Sequence, residues 1–286
     1  MLSLLPQVLL EGIFTGMIIA LIAMSVSLTW GVMYIINFAQ GEILMLGMFF
    51  SYYFTRMSGL DPLICLPICA VIMYFFGIII YKVLIKRVMK ASTLSQLLVT
   101  YALSIVLVNM AQIAFGPAFK TVDTQVLSGS LKVGNLLIAW SKLIPLFVCA
   151  VSATALYIII NKTNIGRSIK ATALNRDAAS LVGVNPERAY MVCMGLATAV
   201  SGVGGVALTY YYSIYPSVGS VFMNFGFTAC CIGGMGSIPG AVIGGILMGL
   251  IDSIVGTYFN VALKYVAVFA VFIFVVYKRP KGLFGW

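Results

Sequence analysis

The chain consists of long apolar runs separated by short polar segments. Three stretches contain no charged residue, and they lie between Glu11 and Glu42, between Lys90 and Lys120, and between Arg188 and Asp252. An uncharged apolar run of 18 or more residues is typical of a membrane-spanning helix of about 20 residues. The runs are continuous, whereas barrel strands alternate between apolar and polar positions. The pattern therefore predicts helices that cross a lipid bilayer.

The runs are long enough for several crossings. They cover residues 6–55, 63–81, 93–115, 143–160, 189–251 and 261–277. The first and the fifth are too long for a single helix. The sequence therefore predicts an all-α fold, a polytopic transmembrane bundle of about eight or nine spans with broken or re-entrant segments. Residues 1–11 contain no Lys or Arg, so we expect the first segment to stay in the membrane and not to be cleaved as a signal peptide.

Composition supports lipid as the solvent. Apolar residues make up 62% of the 286 positions and charged residues 8%, with a mean hydropathy of +1.10. Soluble domains are near 45–50% apolar and about 25% charged. A soluble fold could not cover so much apolar surface with so few ionised groups. A soluble enzyme, a disordered chain and a nucleic-acid-binding domain are therefore excluded.

The net charge of +10 is best explained by membrane topology. Lys and Arg concentrate in three segments, 82–90, 162–188 and 278–281. Loops that face the cytoplasm carry such an excess of basic residues. We therefore place these three segments, and with them the C-terminus, on the cytoplasmic side. No basic stripe interleaved with aromatic residues indicates nucleic acid as a partner.

The residue types needed for catalysis or metal binding are scarce. The chain has no His, and its six cysteines all lie inside apolar runs, where they are typical of packing residues. The P-loop pattern G-x-x-x-x-G-K-[ST] is absent. We therefore expect no enzymatic activity, no metal site and no cofactor bound by this chain.

A polar cluster interrupts the first apolar run. Asn37, Gln40, Gly41 and Glu42 occur together, with Phe38 among them. Glycine and amide side chains strain a continuous helix, and a break would free backbone groups to meet a polar solute. These five residues are candidates for a substrate pathway. Helix packing for the first three, and a cytoplasmic helix end for Glu42, stay open as alternatives. For Asp252 a position at the membrane boundary is favoured.

The segment 233–240 predicts a second interruption. Its sequence is GGMGSIPG, in which Pro239 removes a backbone donor and the glycines ease a turn. Gly234, Gly236 and Ser237 are therefore added to the candidate pathway. The glycines that follow, from Gly240 to Gly249, have G-x-x-x-G spacing, which favours close helix packing. A weak internal sequence similarity aligns Asn37-Phe38 with Asn224-Phe225. Whether it reflects a structural repeat is left open.

The longest polar stretch, 162–188, predicts a short amphipathic helix. Leu174, Ala178, Leu181 and Val182 follow the i, i+4, i+7, i+8 spacing of one helix face, and Gly183 and Pro186 supply its end. The apolar face of this helix is small and Ala-rich, so it is poorly suited to bind the lipid surface. The alternative is that the helix inserts into a groove of a partner protein.

Four motifs, taken together and in order, resemble the branched-chain amino acid permeases of bacterial ABC importers. They are NFAQGE at 37–42, GRSIKA with DAASLVGV between 166 and 184, GMGSIPGA at 234–241, and RPKGLFG at 279–285. The resemblance covers nearly the whole chain. Lys170, where Arg is common, and the pair Cys230 and Cys231 are modest departures. It implies one permease domain over 1–286, in the bacterial inner membrane, that moves leucine, isoleucine and valine inward.

The resemblance also implies partners and roles. A second permease subunit, two ATP-binding cassette ATPase subunits that bind ATP and Mg, and an external solute-binding protein would complete the importer. The segment 162–188 would couple to the ATPase through Gly166, Arg167, Lys170, Asn175, Asp177, Ala178, Leu181 and Gly183. Two alternatives stay open: a related permease for urea, short amides or other amino acids, and an ion-coupled carrier with Glu42 as its titratable group.

Overall fold

The computed structural model of the chain describes residues 5–122, 129–133, 136–260 and 262–285. Helices dominate this part of the chain. Their bounds are α1 Leu5–Met33, α2 Gln40–Ser58, α3 Pro62–Ile80, α4 Lys86–Val88, α5 Thr93–Phe115, α6 Trp140–Lys162, α7 Asn164–Leu174, α8 Arg176–Leu181, α9 Pro186–Leu208, α10 Val218–Gly233, α11 Ile238–Tyr258 and α12 Leu263–Lys278. A π-helical turn, Tyr81–Ile85, joins α3 to α4.

Two short strands add a feature that the all-α expectation lacked. β1 (Ser130–Val133) pairs antiparallel with β2 (Leu136–Ala139), with Ser130 opposite Ala139. The hairpin lies in the loop between α5 and α6. Residues 1–4, which begin the N-terminal segment that we expect to stay uncleaved, lie outside the described residues. So do residues 123–128 of the loop between α5 and α6, including its acidic residue at position 123.

Six helices are long and apolar enough to cross a membrane. They are Leu5–Met33, Pro62–Val88, Thr93–Phe115, Trp140–Lys162, Pro186–Leu208 and Ile238–Tyr258. Helix α10 is apolar but has only 16 residues. A membrane-embedded helical fold is thereby confirmed. The total of eight or nine spans stays a prediction.

Both predicted helix breaks are confirmed. Helix α1 ends at Met33, Tyr34 adopts a left-handed backbone with φ of 56°, and α2 begins only at Gln40. Helix α10 ends at Gly233 and α11 begins at Ile238. Between them Gly234 and Gly236 have backbone φ angles of 107° and 91°. Residues with a β-carbon rarely adopt these angles.

Helix α1 lies in the centre of the bundle and packs closely on α11. Glycines on both helices make this approach possible, because a β-carbon on Gly249 would overlap the backbone of Gly12 and Gly16. Gly245 lies in the same way against Ala20. The packing role predicted from the G-x-x-x-G spacing is therefore confirmed for this pair of helices.

The basic segments gather at one end of the bundle. Lys86, in the first basic segment, pairs with Glu187 at the start of α9. The C-terminal tail reaches the same end, where the amide groups of Leu283 and Phe284 donate to the carbonyl oxygens of Ile232 and Gly233, both at 2.9 Å. We call this the basic end. The tail thereby satisfies carbonyl groups that the last turn of α10 leaves free.

The opposite end is held by contacts between loops. The backbone groups of Lys120 and Ile214 exchange two hydrogen bonds of 2.9 and 2.8 Å, which join the loop after α5 to the loop before α10. Near the turn between α11 and α12, Asp252 pairs with Lys264 at 3.0 Å. The boundary role favoured for Asp252 stays a prediction.

All six cysteines are free and buried. Cys65 and Cys69, which have the helical i, i+4 spacing, lie in the core of α3, so the packing role predicted for them is confirmed. Within the described ranges, no group of three or more His, Cys, Asp or Glu side chains could hold a metal ion.

Candidate functional site

Asn37 shapes the first break from inside the protein. Its side chain is buried, and Oδ1 accepts a 3.1 Å hydrogen bond from the backbone N–H of Ala39. Such a bond, from a side chain to the backbone two residues on, forms an Asx turn. The amide nitrogen Nδ2 points at the sulfur of Met194. Asn37 therefore orients the chain before α2. Asn224, its counterpart in the internal sequence similarity, is exposed on α10, so the two positions are not equivalent.

Gln40 and Gly41 form the first turn of α2 and are both buried. The carbonyl oxygen of Gln40 accepts a 2.6 Å hydrogen bond from the hydroxyl of Ser201. Its side-chain Oε1 and Nε2 have no hydrogen-bond partner in the described part of the chain. Gly41 lies so close to Gly219 that a β-carbon would overlap the Gly219 carbonyl. This turn is thus wedged between α9 and α10.

Glu42 is a buried carboxyl group with a single described side-chain partner. Only 1% of the residue is exposed, and Oε1 accepts a 3.0 Å hydrogen bond from the hydroxyl of Ser104 on α5. Oε2 is without a hydrogen-bond partner among the described residues and lies against Gly219. Glu42 does lie in the first turn of a helix, but it is buried there and not exposed to solvent. A buried polar group with an unfilled acceptor calls for a functional explanation.

Phe38 connects the break to two neighbouring helices. Its ring meets Tyr101 of α5 edge-on, with 6.4 Å between the ring centroids, and lies 5.8 Å from the ring of Phe227 on α10. Residues of α5 thus contact both Phe38 and Glu42. Helix α5 was not among the predicted site elements, although polar residues inside the run 93–115, such as Ser104, are visible in the sequence.

The second break is held mainly by its own backbone. The hydroxyl of Ser237 accepts a hydrogen bond from the N–H of Gly240 and caps α11, while the N–H of Gly236 donates to Ser27, 3.1 Å away. Gly234 lies against Gly285 of the tail. Within the described structure, the hydrogen bonds of these residues and those of Asn37, Gln40 and Glu42 go to different partners.

The polar segment 162–188 differs from the single amphipathic helix that we expected. It forms two helices, α7 and α8, because Asn175 ends one and caps the next. Its Oδ1 accepts from the N–H groups of Asp177 and Ala178, both at 3.0 Å. Asparagine is among the best N-cap residues, which explains the division. Leu174 therefore belongs to α7 and not to the helix of Leu181.

The apolar side chains of this segment point away from the protein. Leu174, Leu181 and Val182 are 83%, 88% and 78% exposed. The inward-facing residue of α8 is Ala179, whereas Ala178 is exposed, which corrects the predicted stripe. Leu174, Leu181 and Val182 form what we call the apolar tip. It lies at the basic end, outside the helices that are long enough to span a membrane.

The remaining coupling candidates hold the tip in place. Gly166 is buried against the carbonyl groups at the end of α6, and Arg167 and Lys170 bond to Asn164 and Asn161. Gly183 has φ of 83°, and the N–H groups of Gly183 and Val184 bond back to Ser180 and Ala179. This is a Schellman ending, so the predicted helix stop at Gly183 is confirmed.

Asp177 lies in the first turn of α8 and is exposed. The guanidinium group of Arg176, which sequence reasoning did not select, lies 6.0 Å from the ring centroid of Tyr190 on α9. A cation over an aromatic ring is attracted by the electron density of the ring face. The contact fastens α8 to the bundle while its apolar side chains stay exposed.

Comparison with known proteins identifies the family. The family model described as "Branched-chain amino acid transport system / permease component" matches residues 8–276. The chain belongs to this permease family. It is therefore a multi-pass ABC transporter permease of the inner membrane and not an enzyme, as the sequence resemblance predicted.

Individual relatives and one solved structure agree with this placement. The chain is 29% identical to the high-affinity branched-chain amino acid transport system permease protein LivH of Salmonella typhimurium and 28% identical to BraD of Pseudomonas aeruginosa. Each match covers 98% of this chain and 95% of the relative. The structure of PsaBC from Streptococcus pneumoniae in complex with Fab matches with a TM-score of 0.50 and 13% identity, over 96% of this chain and 92% of that one. This permease shares a fold with that chain.

Proposed function

We propose that this permease is a pore-forming subunit of an ATP-driven importer that moves leucine, isoleucine and valine into the cell. The observation that carries the proposal is the apolar tip at the basic end. Three large apolar side chains are left almost wholly exposed on a short, capped helix pair. An exposed apolar patch rimmed by polar residues is typical of a protein-binding surface.

The tip would dock on an ATPase subunit, and the complex would need two such subunits to bind ATP and Mg. A second permease subunit and an external solute-binding protein complete the proposed assembly. The ATPases would shift the pore between outward-open and inward-open states through α7 and α8. Such a shift requires only that the two states be stabilised differently.

The substrate class rests on the relatives. LivH and BraD, which match over nearly their full length, are named as branched-chain amino acid permeases. Phe38 and its aromatic neighbours offer an apolar surface for a branched side chain, and the residues around both helix breaks offer polar groups for the charged ends. The two breaks, at Asn37–Glu42 and Gly234–Ser237, are proposed to border the path of the solute.

We propose nine crossings in one transmembrane domain over 1–286, made by α1, α2, α3 with α4, α5, α6, α9, α10, α11 and α12. Antiparallel contacts support this order, since Gly16 lies against Ile246 and Gly31 against Gly236. An odd number of crossings places the N-terminus outside and the C-terminus in the cytoplasm. The basic end is then the cytoplasmic end, as the excess of Lys and Arg requires.

The docking role is tested by replacing Leu181 with Ser in the complete importer, reconstituted in vesicles. Loss of a buried contact of about 1.4 kcal/mol lowers the docking affinity about tenfold. We expect leucine uptake and leucine-stimulated ATP hydrolysis to fall together by about that factor. The matched control is Val151→Ser on α6, also an exposed apolar residue (65%), which should leave both rates unchanged. Unchanged rates in Leu181→Ser would refute the docking role.

A further inference from the structure

Two helices of the bundle expose polar side chains that the described chain leaves uncovered. On α5 these are Asn109 and Gln112, and on α10 they are Ser220 and Asn224. Residues three and four apart share one helix face, so each pair marks a single face of its helix. Helix α5 is long and apolar enough to span the membrane. Asn109 donates to the carbonyl of Ile105 and Ser220 to that of Ser217, whereas the side chains of Gln112 and Asn224 have no hydrogen bond among the described residues.

Such faces are poorly suited to lipid. A polar side chain in hydrocarbon without a hydrogen-bond partner costs free energy, and intramembrane polar residues usually face a cavity or another polar surface. Apolar residues would serve better if these faces met acyl chains. Met110 and Val106 of the same helix are exposed and apolar. The polar faces therefore point to water or to a solute.

The start of α2 lies between these two faces. The ring of Phe38 contacts Tyr101 on one side and Phe227 on the other. Just beneath, Glu42 is bonded to Ser104 of α5 and packed against Gly219 of α10. Two independent pairs of contacts thus place the helix break between α5 and α10, where it contacts both helices.

We propose that α5 and α10 form the translocation face of this subunit. The face consists of Tyr101, Asn109 and Gln112 on α5, Ser220 and Asn224 on α10, and Phe38 between them. This inference rests on the proposed function and specifies where the substrate passes. The carboxamides and the hydroxyl take the ammonium and carboxylate groups of an amino acid, and the aromatic rings pack against its aliphatic side chain.

The chemistry of the face suits passage better than retention. Carboxamide and hydroxyl groups are neutral and replace hydration water without a strong charge–charge attraction. A pathway must bind its solute well enough to admit it and weakly enough to release it. The one acidic group beside the face, Glu42, is buried, with Oε2 packed against Gly219 and therefore not exposed on the face.

The test measures water access at single cysteines in the complete importer. Gln112→Cys and Asn224→Cys lie on the face, whereas Met110→Cys and Phe269→Cys are matched exposed positions outside it. The six native cysteines are buried, so their background reaction is low. The probe is a charged methanethiosulfonate reagent added to membrane vesicles. Because the thiolate reacts, and an apolar surrounding raises the pKa of a thiol, we expect labelling at least about tenfold faster on the face.

Leucine, supplied with the binding protein and ATP, should change the labelling rate at 112 and 224 and not at 110 and 269. Equal, slow labelling at all four positions would refute the translocation face, because the face would then be covered by lipid or by packed protein. Fast labelling that leucine does not change would refute the amino acid as its occupant. The assay does not depend on Leu181, so a failure of the docking role is recognised separately.

Discussion

The hydroxyl group of Ser104 donates a 3.0 Å hydrogen bond to Oε1 of Glu42, across 62 positions of sequence. This bond joins α5 to the first turn of α2 inside the protein. It also gives the buried carboxyl group its one described side-chain partner. The pair therefore links the helix break to one wall of the translocation face.

The first prediction concerns removal of the Ser104 hydroxyl group, which tests how much this hydrogen bond stabilises the protein. In Ser104→Ala, Glu42 loses a hydrogen bond while it stays buried, which costs about 1–3 kcal/mol. We expect a lower melting temperature of the purified importer and slower leucine uptake. In the Glu42→Gln background the same change should cost less, because a neutral amide has a smaller need for the donor. Equal costs in both backgrounds would show that the bond does not couple α5 to α2.

Close packing of α1 and α11 leads to a second prediction. In Gly249→Ala the new β-carbon would overlap the backbone of Gly12 and Gly16. Overpacking of this kind costs about 1–3 kcal/mol or more, since backbone atoms must move. Thermal unfolding of the permease in lipid nanodiscs should show the loss. Gly204→Ala is the control, because its nearest neighbour is Cβ of Leu21 at 3.3 Å, and a melting temperature equal to that of Gly249→Ala would contradict the packing argument.

The third prediction concerns the end of α8. Gly183 has φ of 83°, and no atom lies within 4 Å of the place of a β-carbon, so conformation alone limits the position. Alanine there should cost about 1–2 kcal/mol of local stability, and asparagine less. Leucine-stimulated ATP hydrolysis should fall in Gly183→Ala and be largely kept in Gly183→Asn. The global melting temperature should change little, because the tip packs sparsely. Equal activity of both variants would show that the Schellman ending does not matter for coupling.

The elements that local chemistry determines could be predicted from the sequence. Gly, Pro and amide residues mark both breaks, the glycine spacing marks the packing of α11, and Gly183 marks the end of α8. Each of these signals acts over a few residues, through backbone conformation or close approach. The family resemblance, carried by four motifs, is confirmed over residues 8–276.

What could not be predicted depends on distant contacts or on competing local signals. Nothing near Glu42 indicates that Ser104 is its partner. Asn175 lies inside a helical pattern, and only its capping bonds to Asp177 and Ala178 divide the segment in two. Polar residues of α5 were visible, but a polar side chain in a span could equally face a neighbouring helix, so periodicity alone did not identify the exposed face.

The backbone exchange between Lys120 and Ile214 has a mechanical consequence. Since it connects the end of α5 to the approach to α10, the two walls of the translocation face are tethered to each other at the end of the bundle opposite the basic end. An opening at that end must either swing both walls as one body or break two backbone hydrogen bonds. Phe38, which contacts Tyr101 of α5 and Phe227 of α10, connects the same two helices nearer the basic end. A movement of one wall is therefore passed to the other at both levels of the bundle.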